Sequence, residues 1–251
     1  MADIGRIESL PDPTALAEHA AEWMTAAALE ADDPCRISLS GGSTPKTLYA
    51  LLASTPFRNR FPWQRVHWYW GDERFVSYDD PESNYRMTRE AMLSKVPVPP
   101  ENIHPIPTDG SPEDAARRYE RTLQEAYGAA TLDSQRPLFD LTLLGLGPDG
   151  HTASLLPGEP VLNERKRWVA AVSHGRPEVR ITLTYPVIES SRRVAFLVAG
   201  EEKAAIFSAI RAGDSQLPAA RVRPLGDLIW FVDRAAAGEE QMPRRAGTRA
   251  R

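Results

Sequence analysis

This 251-residue sequence lacks several features of secreted, membrane-bound and nucleic-acid-binding proteins. Its one cysteine, Cys35, excludes an intrachain disulfide and suits a reducing compartment. No apolar run approaches the length of a membrane span, and the first residues contain no apolar segment typical of a signal peptide. The formal charge of −4 provides no general basic surface for nucleic acid or an anionic membrane. We therefore expect a cytoplasmic protein that binds neither nucleic acid nor membranes.

Three common motifs for nucleotides, nucleophiles and metals are also absent or incomplete. No Gly-x-x-x-x-Gly-Lys-Ser/Thr sequence is present, which excludes a P-loop. The segment 41–45 lacks the last glycine of a Gly-x-Ser-x-Gly nucleophile elbow, so Ser43 is a poor nucleophile candidate. His67 can be grouped with Asp72 and Glu73 as a metal cluster, but their spacing is not that of known chelating motifs. We expect no metal and no other cofactor.

The remaining composition predicts one α/β domain. With 42% hydrophobic residues, the chain can bury a sizeable core. Helical and β-like patterns alternate, which is typical of a mostly parallel, Rossmann-like sheet flanked by helices on both faces. The predicted strands are 37–40, 66–70, 139–144, 168–172, 179–183, 194–198 and 228–232. We assign residues 1–234 to this domain and predict that the tail 235–251, rich in Ala, Gly and Arg, is disordered.

The most informative segment runs from Phe139 to Ser154. Its apolar strand leads into a glycine turn that carries Asp149 and His151, at the strand end where open α/β sheets bind ligands. An imidazole there suits proton transfer near neutral pH. The glycines also match a dinucleotide fingerprint, but Pro148 and the acidic Asp149 are unsuited to a loop under a pyrophosphate, so we reject NAD. In isolation, a tight turn with a solvated histidine explains the same residues.

A second loop follows the predicted strand 37–40 and precedes a predicted helix, 46–53. Pro45 fits the first helical position, and Thr44 or Ser43 fits the N-cap. The glycine amides, the positive helix end and the hydroxyls together favour a phosphate at Gly42, Ser43 and Thr44. An ordinary capped helix explains this loop equally well.

A third loop follows the aromatic strand 66–70 and contains Asp72 and Arg74. Because parallel strands end at the same edge of a sheet, Thr44, Arg74 and His151 are expected to converge there. Alternatively, Asp72, Glu73 and Arg74 form only ion pairs at the protein surface. Two further cations, Arg180 at a strand start and Lys203 in a first helical turn, are candidates of the same kind, although exposed cations are usually only solvated.

Four segments together resemble the 6-phosphogluconolactonase family, within a superfamily that includes glucosamine-6-phosphate deaminases. They occur in the family's order and are Ser40–Pro45, Trp70–Arg74 with Ser83–Tyr85, Gly145–Ser154 and Gly200–Ala204. The resemblance extends from the first helix to Val232. The deaminases carry a catalytic glutamate five residues after the motif histidine, where this sequence has Leu156, which cannot ionise. This difference favours a lactonase.

The resemblance implies hydrolysis of 6-phospho-D-glucono-1,5-lactone to 6-phospho-D-gluconate, in the oxidative pentose phosphate pathway. It implies that His151 acts as the general base toward water and that Asp149 or Asp72 orients the imidazole. Arg74 would contact either the oxyanion or the phosphate. The residues implied to hold the 6-phosphate are Gly42, Ser43, Thr44, Arg180 and Lys203.

Two alternatives to a lactonase remain at this stage. One is a glucosamine-6-phosphate deaminase or sugar-phosphate isomerase. The other is a non-catalytic sugar-phosphate sensor, which would need a DNA-binding module; the α/β pattern begins within the first twenty residues and leaves no room for one before it. For a lactonase, the only expected partner is the small sugar-phosphate substrate, and we expect a monomer.

Overall fold

The computed structural model describes residues 4–239, and its strands form two sheets. In chain order the strands are β1 (Arg6–Leu10), β2 (Cys35–Leu39), β3 (Val66–Trp70), β4 (Asp72–Arg74), β5 (Phe139–Gly145), β6 (Val169–Val172), β7 (Arg180–Leu183), β8 (Ser191–Val198) and β9 (Asp227–Asp233). The larger sheet has the order β1-β9-β8-β5-β2-β3, and all its strand pairs are parallel. The smaller sheet, β4-β7-β6, is antiparallel. The predicted fold class, a mostly parallel α/β sheet flanked by helices, is confirmed.

Residues 4–239 form eight α-helices. They are α1 (Pro13–Glu30), α2 (Ser43–Leu52), α3 (Phe57–Arg60), α4 (Asn84–Ala91), α5 (Pro112–Tyr127), α6 (Tyr185–Glu189), α7 (Ala204–Arg211) and α8 (Arg234–Ala237). Asp12 caps α1 by accepting a hydrogen bond from the Ala15 amide, and Ser111 caps α5 from the Asp114 amide. Each such cap stabilises a helix by about 1 kcal/mol. None of the described helices is both long and apolar enough to cross a bilayer.

The core lies around the central strands of the larger sheet. The central strands β2, β5 and β8 are mostly buried, because a central parallel strand has both faces covered, and the edge strand β3 is mostly buried as well. Aromatic side chains fill much of the space between layers; Phe196 and Trp230 stack with ring centroids 3.8 Å apart. This rigid sheet fixes the strand ends from which the functional loops start.

The two sheets are joined at Gly71, directly after β3. The Gly71 amide donates to the carbonyl of Leu39, the last residue of β2 in the larger sheet. The Gly71 carbonyl accepts from the amide of Leu183, the last residue of β7 in the smaller sheet. The chain then enters β4, where Asp72 pairs with Thr182 and Arg74 pairs with Arg180. The third loop is therefore held beside β7, which carries the candidate cation Arg180.

Individual elements differ in some details from the sequence-based expectations. β1 and β4 were not predicted, because both are short and rich in charged residues. The predicted strands 168–172 and 179–183 are present as β6 and β7, and they pair in the smaller antiparallel sheet. Helix α2 begins at Ser43 with Gly42 as its N-cap residue, two residues before the predicted start at Pro45.

Helix α8 continues past residue 234, where we predict that the domain ends. Asp233 caps α8 by accepting a hydrogen bond from the Ala236 amide at 2.7 Å, and the Ala236 side chain is fully buried. Residues 235–237 therefore belong to the folded domain, because a helix cap and a buried contact hold them against it. The rest of the predicted tail, residues 240–251, lies outside the described residues.

Candidate functional site

The loops that follow β2, β3 and β5 line one pocket of about 260 Å³. These three strands are neighbours in the larger sheet, so their carboxyl ends lie side by side. The predicted site residues that line the pocket are Gly42, Ser43, Thr44, Asp72, Arg74, His151, Arg180 and Lys203. Asp149 is not part of the lining and contacts His151 instead. The structure thus brings together residues that are up to 161 positions apart in sequence (203 minus 42).

The loop before α2 has the geometry of an anion site. Gly42 adopts a φ of +107°, which favours glycine, and its carbonyl accepts the first helical hydrogen bond, from the Lys46 amide. The amides of Ser43 and Thr44 open the helix and therefore have no carbonyl partner within it. Tyr49 anchors the loop, because its hydroxyl donates to the Ser40 carbonyl at 2.8 Å. The positive end of α2 is thereby directed at the pocket.

The catalytic candidate His151 is held by a carboxylate that is itself held by an arginine. Asp149 Oδ1 accepts a hydrogen bond from His151 Nδ1, and Asp149 Oδ2 accepts one from Arg176 Nη2 at 2.7 Å. Within the described residues, His151 Nε2 makes no hydrogen bond, and the His151 side chain lines the pocket. With Nδ1–H donating to Asp149, Nε2 carries the lone pair that can accept a proton.

The charge state of Asp149 supports this arrangement. Burial alone would raise the pKa of Asp149, but the hydrogen bonds from Arg176 and His151 outweigh it and hold the pKa well below its usual range. The carboxylate is therefore ionised at neutral pH and acts only as an acceptor. Of the two carboxylates proposed to orient the imidazole, Asp149 is the one that contacts it.

Asp72 has different partners. Its Oδ2 accepts from Ser154 Oγ at 2.7 Å, and Asn84 Nδ2 donates to its backbone carbonyl at 2.9 Å. The same Asn84 accepts from Arg74 Nη1 at 2.6 Å through its Oδ1 atom. Asn84 also packs so closely against Gly41 that a Cβ on this glycine would lie 2.0 Å from Asn84 Oδ1. Asn84 therefore connects the second and third loops.

Glu73 does not line the pocket, but it holds Arg74 and Asn84 in place through hydrogen bonds. Its Oε1 atom accepts from the amides of Arg74 and Asn84, and its Oε2 atom accepts from the Tyr85 amide and from Ser83 Oγ, all at 2.7–3.1 Å. Burial raises the pKa of Glu73, although these backbone hydrogen bonds oppose the rise. Glu73 therefore ties the start of α4 to β4, so that Asn84 and Arg74 hold fixed positions.

Three cations line the same pocket. Arg74 and Arg180 face each other across the β4–β7 pair, and the Nε atom of each is buried without a hydrogen-bond partner among the described residues. Burial lowers the pKa of Arg180, which indicates that the desolvation of its charge is incompletely offset. Lys203 ends the short helical turn Glu201–Lys203, and that turn is anchored by the Gly200 amide, which donates to the Asp233 carboxylate. Three positively charged side chains in one pocket suit an anionic ligand.

Sequence reasoning missed Arg176 completely and assigned no role to Asn84 or Ser154. Asn84 and Ser154 lie inside two of the segments that resemble the family, Ser83–Tyr85 and Gly145–Ser154, and these segments could have identified them. Arg176 lies in the 173–179 connector between β6 and β7, where no motif marks it.

The possible metal grouping of His67, Asp72 and Glu73 is not assembled. His67 Nδ1 lies 3.0 Å from His104 Nε2, whereas Asp72 and Glu73 contact the groups described above. No cluster of three or more His, Cys, Asp and Glu side chains suited to a metal occurs within residues 4–239.

Comparisons with known proteins agree with these motifs. The family described as glucosamine-6-phosphate isomerases/6-phosphogluconolactonase matches residues 11–230, which include every candidate site residue. The 6-phosphogluconolactonase of Nostoc sp. is 40% identical over 241 residues, covering 93% of this chain and 97% of that protein. The 6-phosphogluconolactonase of Synechocystis sp. is 45% identical over 211 residues, covering 82% and 85%. The crystal structure of 6-phosphogluconolactonase from Thermotoga maritima matches with a TM-score of 0.78 at 33% identity, covering 91% of this chain and 99% of that one.

Proposed function

Because this chain belongs to the glucosamine-6-phosphate isomerase/6-phosphogluconolactonase family, we propose that it hydrolyses 6-phospho-D-glucono-1,5-lactone to 6-phospho-D-gluconate with His151 as the general base. The observation that carries the proposal is the shared pocket, in which the Asp149-bound imidazole of His151 lies with an anion-binding loop. A sugar-phosphate lactone needs both features. The reaction belongs to the oxidative pentose phosphate pathway.

The chemical step follows from the orientation of the imidazole. His151 Nε2 takes a proton from water as the water oxygen attacks C1 of the lactone, while Nδ1–H donates to Asp149. The tetrahedral intermediate then collapses, the bond between C1 and the ring oxygen breaks, and the ring oxygen takes the proton from the imidazolium. The products are the C5 hydroxyl and a carboxylic acid, which releases its remaining proton to solvent at neutral pH and becomes the carboxylate. A lactone is an activated ester, so no covalent nucleophile is needed.

The phosphate is bound by the loop 42–44, Arg180 and Lys203. The Ser43 and Thr44 amides with the start of α2 supply neutral donors, whereas the two cations supply charge. Arg74 adds a third positive charge to the same wall, next to Asp72. Binding the remote phosphate places the lactone carbonyl against the base, which reduces the entropic cost of the reaction.

A direct lactonase assay tests this function. Freshly generated 6-phospho-D-glucono-1,5-lactone should be hydrolysed much faster than in the absence of the protein, after subtraction of the spontaneous reaction. Glucosamine 6-phosphate should release no ammonia, because the position of the deaminase glutamate holds Leu156, which is buried at 2% exposure. Binding of the lactone without turnover would instead indicate the sensor alternative.

We expect full activity after dialysis against EDTA. The sequence shows no spacing of side chains typical of a metal site. The carboxylates of Asp149 and Asp72 already accept hydrogen bonds from His151 and Ser154. The measurement is the initial rate before and after dialysis, with a mock-dialysed sample as the control. Loss of activity that zinc or magnesium restores would contradict the proposed metal-free mechanism.

Gly147→Ala is expected to lower kcat by about 10²-fold, because a Cβ at this position would lie 2.0 Å from His151 Nδ1 and displace the base. Gly71→Ala is the matched control, since its Cβ would meet its nearest atom at an ordinary 3.4 Å. Steady-state kinetics of both variants provide the measurement. A Gly147→Ala enzyme with the wild-type kcat would show that the placement of His151 is not critical.

The cytoplasmic location and the monomeric state stay predictions, as does the absence of nucleic-acid partners.

A further inference from the structure

Arg176 is the one charged side chain that contacts both members of the Asp149–His151 pair, among the described residues. Its Nη2 atom donates to Asp149 Oδ2 at 2.7 Å and lies 3.2 Å from His151 Nδ1. Each oxygen of the Asp149 carboxylate therefore has its own donor, Nδ1–H of His151 on one side and the guanidinium on the other. This fixes the plane of the carboxylate, and through it the plane of the imidazole.

The charge of Arg176 has a second consequence. A carboxylate alone beside an imidazole favours the imidazolium, which cannot act as a base. A permanent guanidinium charge next to the same pair compensates the carboxylate and disfavours a further positive charge on the ring. Asp149 thus orients the imidazole, while Arg176 places a positive charge beside the same pair.

Arg176 comes from a different part of the fold than the residues it contacts. It lies in the 173–179 connector of the smaller sheet, whereas Asp149 and His151 follow β5 of the larger sheet. Gly175 turns this connector with a φ of +76°, and a Cβ there would lie 3.2 Å from the Leu156 side chain. The connector is therefore packed against the segment that follows His151.

Charged side chains from several loops and strands surround His151. Asp149 faces it from its own loop and Arg176 from the 173–179 connector. The other charged groups that line the same pocket are Asp72 and Arg74 on β4, Arg180 on β7 and Lys203 in the turn after β8. Of these charged side chains, Asp149 and Arg176 are the ones within hydrogen-bond distance of the imidazole.

We propose that Arg176 is a positioning residue that locks Asp149 against His151 and, by its charge, keeps the imidazole available as a base. The proposal rests on the proposed function of His151. Its alternative is an ordinary surface ion pair: the side chains of Arg176 and Asp149 are 29% and 37% exposed, and such pairs usually contribute little. The positioning role and the surface ion pair predict different pH dependences of the activity after the charge of Arg176 is removed.

The experiment compares two substitutions at one position. Arg176→Gln keeps a hydrogen-bond donor and loses the charge, whereas Arg176→Lys keeps the charge. Arg60→Gln is the matched control, because it removes an equally charged partner of a surface carboxylate, Glu22, and neither residue lines the pocket. For each protein we would measure the pH profiles of kcat and kcat/KM for lactone hydrolysis, and the titration of His151 by NMR.

For Arg176→Gln, we expect kcat at neutral pH to fall by about 10-fold and the acid limb of the profile to move upward by about one pH unit, with KM changed less than about threefold. The sign follows from charge: without the guanidinium the imidazolium is less disfavoured, so His151 protonates at a higher pH. Arg176→Lys should restore the acid limb, and Arg60→Gln should match the wild type.

An unmoved acid limb and an unmoved His151 titration in Arg176→Gln would overturn the proposal, as would a lysine variant that behaves like the glutamine variant. Failure of the proposed function is recognised separately. If His151→Ala keeps the wild-type rate, the histidine is not the base, whereas the NMR titration still reports whether Arg176 controls its protonation.

Discussion

Replacing His151 with alanine is expected to lower kcat by at least about 10²-fold, while KM changes little. A positioned general base typically contributes about 10²- to 10⁴-fold, and the alanine variant removes the atom, Nε2, that accepts the proton from water. The phosphate ligands lie on other loops and should still hold the substrate. Initial rates on fresh lactone, corrected for spontaneous hydrolysis, provide the measurement. The rate of the wild-type enzyme should also fall toward acid pH as the imidazole takes up a proton.

His19→Ala is the control for this substitution, because His19 lies on α1 and contacts Glu8 rather than the pocket. Its activity should equal that of the wild type. Near-wild-type turnover in His151→Ala would remove His151 from the mechanism. A wild-type activity that stays flat down to pH 4 would do the same, since a protonated imidazole has no lone pair for the water proton.

The sequence predicted those parts of the site that depend on strand ends. Thr44, Arg74 and His151 each follow an apolar strand, and the rule that parallel strands end at one edge was enough to expect them together. The structure places all three in one pocket. Short elements were predicted less well: β4 consists of Asp72, Glu73 and Arg74, and its charged composition hides a strand that forms only by pairing with β7.

Contacts between loops could not be inferred from spacing. Asp149 and Asp72 were equal candidates for orienting the imidazole, because both follow strands at the same sheet edge. Only the fold shows that Asp72 faces Ser154 whereas Asp149 faces His151. Arg176 was missed for the same reason: it reaches Asp149 from 27 positions away, through a connector without a motif. Such partners depend on tertiary packing, which local patterns do not encode.

Lys203→Ala is expected to raise KM by roughly 10- to 150-fold with a smaller effect on kcat. A charge-assisted hydrogen bond is worth about 1.5–3 kcal/mol, and a phosphate held equally in the ground and transition states affects KM rather than kcat. Thr44→Ala should raise KM by less than about 10-fold, because the amides at the start of α2 remain. Steady-state kinetics of both variants give the two constants, and Lys166→Ala, at an exposed position outside the pocket, is the control.

The same prediction fixes the direction in which the substrate lies. If Lys203 and the loop 42–44 bind the phosphate, a crystal soaked with 6-phosphogluconate should show the phosphate at the start of α2 and C1 near His151 Nε2. The Lys203 effect on KM should then disappear for a lactone that carries no phosphate, because its partner is missing. A phosphate found beside His151, with the sugar directed away from it, would reverse this orientation. His151 would then be a phosphate ligand rather than the general base.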